Sequence, residues 1–264
     1  MKIFLSSLEN APPGKEDNGM HIVDRLIDQK IKMYWNLMSY YYIRGRSQRL
    51  ALTIRDNSEL VLIDSGAHSF QFGLGKEVNW EDYTREYAAF IKEFDRPNVL
   101  GYFEMDIENL IGYDRVLQLR RILESVTDKV IPVWHPLRGI NEYEKMCQEY
   151  AGRIVAIGGF RGTDIRDDQF IMFLKVARKY GCKVHCLGMT RMEVLDKVPF
   201  DFTDSSTWSA QGRFGSIGYG RFKQGKVTRD FSRNHRGQLF VENYKCGIEM
   251  QKYYYRLWKR ECKD

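Results

Sequence analysis

Several features are missing from this 264-residue chain, and each absence removes a class of protein. No apolar run approaches the roughly 20 residues that a membrane-spanning helix needs. The opening MKIFLSSLEN carries one lysine and a short apolar run, then turns polar at once, so it reads as a first strand rather than a signal peptide. No two cysteines form a C-x-x-C pair, so a zinc knuckle is not indicated. The five cysteines (Cys147, Cys182, Cys186, Cys246, Cys262) are an odd number, which argues for reduced thiols and a cytoplasmic protein. The histidines His21, His68, His135, His185 and His235 show no metal-ligand spacing, so neither a metal nor a cofactor is expected. No G-x-G-x-x-G follows the first strand, no repeat or low-complexity tract occurs, and no Pro/Gly-rich linker divides the chain. One domain over 1–264 follows.

Apolar residues are plentiful: 43% are hydrophobic and 14% aromatic, which excludes global disorder. Charge is unevenly spread. Residues 210–264 hold 13 Lys and Arg against 5 Asp and Glu, a balance of +8, while the whole chain carries only +6. The basic stretch is interleaved with Phe222, Phe231, Tyr244, Tyr253, Tyr254, Tyr255 and Trp258. Cations mixed with aromatics suit a polyanion whose bases stack, meaning nucleic acid. The plainer reading is a C-terminal helix whose aromatics dock on the core.

Short β-rich runs recur at Lys2–Leu5, Glu59–Asp64, Asn98–Met105, Lys129–Trp134, Arg153–Gly158, Lys183–Gly188 and Phe200–Thr203. Amphipathic stretches at Asp82–Phe94, Tyr113–Val126, Glu142–Ala151, Asp167–Tyr180 and Arg191–Val198 separate several of them. Strand–helix alternation over this length predicts a parallel sheet, and the count fits an α/β fold of the (β/α)8 TIM barrel type with a basic C-terminal extension. A doubly wound open sheet is the alternative. Segment 31–60 is the least regular part, and the eighth strand has no secure place.

Reacting groups of a barrel gather where its strands end. Three aspartates end apolar runs here: Asp64 closes LVLID, Asp106 closes YFEMD, and Asp204 closes FDFTD. Any one of them reads as a helix cap. Three on one rim point to a carboxylate-based active site.

These motifs resemble those of the tRNA-guanine transglycosylase superfamily, (β/α)8 barrels that exchange guanine for a 7-deazaguanine base. Asp64-Ser65-Gly66-Ala67-His68-Ser69 resembles the family's D-S-G-G-[FY]-Q, and Glu104-Met105-Asp106-Ile107-Glu108 resembles the segment whose aspartate reads the guanine edge. Gly158-Gly159-Phe160 resembles a G-G-L loop, Leu187-Gly188 an M-G turn, and Asp201-Phe202-Thr203-Asp204-Ser205 the D-x-x-D-C element that holds the nucleophile. The likeness spans roughly residues 60–215. The tRNA enzymes' C-x-C-x-x-C…H zinc site is absent, the chain is much shorter, and His68 stands where an aromatic usually covers the base. A compact, zinc-less version is similar to the phage-type DNA 7-deazaguanine transglycosylases. That resemblance implies DNA as one partner and a free 7-deazaguanine base, 7-cyano-7-deazaguanine or a relative, as the other.

The chemistry needs a nucleophile on the sugar face opposite the leaving base, which Asp204 serves, with Asp201 as the alternative. A second carboxylate must protonate the departing guanine, and Asp64 is placed for that. Asp106 would accept from guanine N1–H and its exocyclic amine, and Ser65, Gly66, His68, Gly158, Gly159, Phe160, Leu187 and Gly188 would line the base pocket. His135, in VWHP, is a pocket residue or a satisfied interior histidine; the interior reading is preferred. Phosphate contacts fall to Arg213, Arg221, Lys223, Lys226, Arg229, Arg233 and Arg236, with Arg44, Arg46 and Arg49 as a second basic cluster. The competing readings are the same chemistry on tRNA, a non-catalytic nucleic-acid-binding barrel, and a metal-dependent barrel hydrolase.

Overall fold

Among the described residues nine short runs form strands: β1 (Lys2–Ser6), β2 (Met33–Ser39), β3 (Ser58–Asp64), β4 (Val99–Phe103), β5 (Val130–Ile131), β6 (Val133–Trp134), β7 (Ile154–Ile157), β8 (Lys183–Cys186) and β9 (Phe202–Ser205). The computed structural model describes residues 1–11, 20–45, 48–66, 69, 78–158, 165–218, 220–222 and 236–262. Every strand pairing is parallel. The order is β5-β4-β3-β2-β1-β9-β8-β7-β6, a nearly closed barrel with helices between the strands. Parallel strands need crossovers, and helices with one apolar stripe supply them while covering the outer face.

The two ends of that order, β5 and β6, are separated by a single residue, Pro132. Proline has no N–H to give a ladder, so the run breaks there. Its carbonyl accepts from Ala156 N–H at 2.9 Å, and the next amide, Val133, donates to Glu104 Oε1 at 2.6 Å. Glu104 is fully buried and accepts from Arg120 Nε and Nη2 at 2.5 and 3.1 Å. Burial lifts its carboxyl above the ordinary range although Arg120 opposes the shift.

The irregular segment 31–60 holds β2 and the helix Gln48–Asn57. β2 shows no clean alternation because both of its faces are largely buried. β9 begins two residues later than the apolar run suggests. Asp201 sits at its start and accepts the Val184 N–H at 2.8 Å.

Two apolar layers result. Phe4, Trp35, Leu37, Leu62, Phe103, Ile131, Val133, Ala156 and Phe202 form one cluster in the barrel interior, while their strand neighbours Ile3, Leu5, Met38, Val61, Ile63 and Tyr102 join the larger cluster beneath the helices. The helix Arg236–Leu257 lies over β1 and β2. Gln251 Nε2 donates to the carbonyls of Ile3 and Trp35, both at 2.8 Å, and Tyr244 Oη donates to Asn36 Oδ1 at 2.9 Å. Gly247 permits this approach, since a Cβ there would stand 2.8 Å from Leu5 Cδ1. Tyr244 and Tyr254 of the basic stretch are therefore core residues. No disulfide joins the five cysteines, and all but Cys262 are buried. Among the described residues no helix is long and apolar enough to cross a membrane.

Candidate active site

Side chains two apart on a strand share a face. Counting on from the inward residues Phe4, Leu37, Leu62, Val133, Ala156 and Phe202 brings Ser6, Ser39, Asp64, His135, Gly158 and Asp204 to the inner side at the strands' C-terminal ends. Because the strands are parallel, these residues share one mouth of the barrel. β8 adds His185, whose ring centroid lies 5.0 Å from Phe103, 6.3 Å from Phe4 and 6.5 Å from Phe202.

Asp204 is held by three donors. Gly188 N–H reaches Oδ1 at 2.8 Å, His185 Nε2 lies 3.1 Å from the same oxygen, and Ser6 Oγ donates to Oδ2 at 3.1 Å. Gly188 makes its contact from a backbone with φ +63°, and the residue is exposed. His185 is wholly buried, and its Nδ1 meets no hydrogen-bond partner among the described residues.

Asp64 stands differently. Its Oδ2 accepts Gly66 N–H at 2.9 Å. Burial, with the negative charges of Asp106 and Asp204, pushes its carboxyl up to about 7, while the Gly66 bond and the Ser39 hydroxyl pull the other way. Asp106 and Asp204 thus both lie close enough to act on Asp64 across the same mouth. Glu9, in the turn after β1, accepts Ser39 N–H at 3.0 Å, and burial together with the charge of Asp64 raises it to about 7 as well. Gly66 adopts φ +82°, and a Cβ there would fall 2.4 Å from Tyr41 Cβ, so only glycine fits.

Asp106 Oδ1 contacts His135 Nε2. Burial opposes the charged ring, but the hydrogen bond and charge of Asp106 outweigh it and raise the histidine. His135 is therefore a rim residue with a side chain 14% exposed, not an interior histidine satisfied by the core. Gly158 makes room for it: a Cβ at this position would lie 2.8 Å from His135 Cε1 and 3.1 Å from Val133 Cγ1. Beyond them, Glu108 pairs with Arg138, whose guanidinium stacks 3.8 Å over the Tyr113 ring.

The mouth thus gathers Asp64, Asp106, Asp204, Gly66, Gly158, Leu187 and Gly188. Ser65 is buried behind it, its carbonyl accepting from Tyr83 Oη at 2.8 Å and its hydroxyl without a partner among the described residues. Asp201 lies at the opposite end of β9 and does not join them. His68, Gly159 and Phe160 lie outside the described residues, as do Lys223, Lys226, Arg229, Arg233 and Arg46. Of the remaining basic candidates, Arg213 and Arg236 are exposed, and Arg213 Nη2 bonds Ser209 Oγ at 3.3 Å. Arg221 is committed to Asp196 and to Tyr253, whose hydroxyl it reaches at 3.1 Å. Among the described residues no group of three His, Cys, Asp or Glu is placed to hold a metal ion.

Ser6, Glu9, Ser39 and His185 belong to the mouth but carry no motif. The signal for Ser6, Ser39 and His185 was the two-residue period itself, once the inward face of β1, β2 and β8 is known. No family model matches the sequence, and no curated protein matches it.

Proposed function

We propose that the protein is a base-exchange transglycosylase that replaces guanine in DNA with a 7-deazaguanine, 7-cyano-7-deazaguanine or a relative, through a covalent Asp204–sugar intermediate. The observation that carries the reading is the contrast between two carboxylates at one barrel mouth. Asp64 is pushed up to about 7 and can give and take a proton near neutrality, whereas Asp204 is gripped by three donors. The architecture accords with it: β5 and β6 read together as one strand interrupted at Pro132 give the eight positions of a (β/α)8 barrel, with all the reacting groups at its C-terminal face.

In the first half-reaction a carboxylate oxygen of Asp204 attacks C1′. The C1′–N9 bond breaks with its electron pair leaving on guanine, and Asp64 supplies the proton that guanine takes up. In the second half the incoming base attacks C1′, its N9 proton returns to Asp64, and the C1′–O bond to Asp204 breaks. One proton cycles through Asp64, so the pair of steps balances. Asp106 accepts from the donor edge that guanine and 7-deazaguanines share, with His135 holding the carboxylate in place. The target nucleotide must leave the stack before it can reach Asp204, which costs a few kcal/mol.

The test is incubation with guanine-containing DNA without free base, which should yield a denaturant-resistant protein–DNA adduct in the wild type and none in Asp204→Ala. Label from a free 7-deazaguanine should then enter DNA. No adduct in the wild type, or label entering tRNA but not DNA, overturns the corresponding part of the reading.

A further inference from the structure

Among the described residues, the contacts to Asp204 leave one hydrogen-bonding direction on its two oxygens unoccupied. Oδ1 already receives Gly188 N–H at 2.8 Å and His185 Nε2 at 3.1 Å, which fills its two lone pairs, while among the described residues Oδ2 receives Ser6 Oγ–H alone. The His185 contact is built from inside the barrel. The residue is 0% exposed and its ring is boxed by Phe4, Phe103 and Phe202, which offer it nothing polar. Its Nδ1 has no partner among the described residues. A buried polar ring is costly in such surroundings unless its one contact matters. Only the tautomer with the proton on Nε2 gives Asp204 a donor, and the apolar box lets the ring neither turn to solvent nor exchange partners.

We infer that His185 is a positioning residue that locks Asp204 so that Oδ2, and not Oδ1, is the oxygen that attacks the sugar. This rests on the reading of Asp204 as the nucleophile. During the step the Oδ2–C1′ bond forms as the C1′–N9 bond breaks with its electron pair leaving on guanine, which takes up the proton from Asp64, while Oδ1, becoming the ester carbonyl, keeps the Gly188 and His185 donors. In the reverse step the same donors receive the charge returning to the carboxylate, so both half-reactions depend on His185.

The experiment measures single-turnover adduct formation on guanine-containing DNA for wild type, His185→Phe and His185→Gln. Phenylalanine fills the aromatic box without a donor, and glutamine carries an amide N–H long enough to take the place of Nε2. The expected result is a 10- to 100-fold slower step in the phenylalanine variant at unchanged half-saturating DNA concentration, with most of the rate restored by glutamine. If phenylalanine prevents folding, His185→Asn carries the comparison, because its amide is one methylene too short; glutamine fast and asparagine slow is the expected pair. A wild-type rate in His185→Phe overturns the role of His185 alone. Equal slowing in all the variants also overturns it, since the donor would not be what matters. Absence of any adduct in the wild type instead removes Asp204 as nucleophile, and this inference with it.

Discussion

At the scale of single residues, Asp64 links the site to stability. The fold holds its proton up to about pH 7, while the unfolded chain releases it near pH 4. Folding therefore takes up a proton between those values. The stability this contributes is complete below about pH 4 and is lost as the pH rises to about 7. Asp64→Asn removes that titration but keeps an oxygen for the Gly66 N–H. The melting temperature of the wild type should fall from pH 5 to pH 8 by more than that of the variant, a difference worth about 1–3 kcal/mol. Parallel curves would show that Asp64 is an ordinary ionised cap. Gly158 gives a second residue-level outcome. In Gly158→Ala the new methyl pushes His135 away from Asp106, because Val133 blocks the other side. The variant should bind free base at least several-fold more weakly while melting within about 2 kcal/mol of wild type by denaturant titration. Unchanged base binding would detach Asp106 and His135 from recognition.

At the scale of elements, the break at Pro132 is tied to a buried ion pair. Glu104 accepts from Val133 N–H and from Arg120, and both charged side chains are almost fully buried. Arg120→Met strands a carboxylate in the core and should cost about 3–5 kcal/mol in chemical unfolding. Adding Glu104→Gln should recover much of that, since a neutral amide still offers an oxygen to Val133. A double variant as unstable as the single one would mean that packing, not charge, carries the loss. The elements also mark what the sequence discloses. Eight of the nine described strands, β5 and β6 within a single run, and the main crossover helices follow from seven apolar runs bounded by turns, and the three aspartates follow from where those runs end. β2 escapes because its buried faces leave no alternation. Asp201 and Asp204 look alike in FDFTD, and only the strand's start at Phe202 puts one at each end. Ser6 and His185 are invisible for another reason: their partner, Asp204, is 198 and 19 residues away, and nothing local marks the contact.

At the scale of the whole molecule, the +8 balance after residue 209 has a double identity. Tyr244 and Tyr254 are spent on the core and Arg221 on Asp196, so the cations available to a polymer from the described part of that stretch include Arg213 and Arg236 but not the helix's inner face. The same long helix bridges β1 and β2 through Gln251, which means that the barrel wall and its final helix share hydrogen bonds and cannot loosen separately without exposing Ile3 and Trp35 carbonyls.

The thiols turn that coupling into a chemical clock. Cys147, Cys182 and Cys186 are sealed on the β8 side, with Cys182 Sγ donating to the carbonyls of Cys147 and Tyr150 at 3.2 Å, while Cys246 is sealed in the long helix. An alkylating reagent reaches only an ionised, accessible sulfur, and burial pushes the Cys186 thiol far up. Cys262, half-buried, should be labelled first. The other four should follow together, with one urea dependence, because modification has to wait for the barrel to open. Peptide mapping after timed alkylation reads this directly, and early labelling of Cys246 alone would show the helix peeling from an intact barrel.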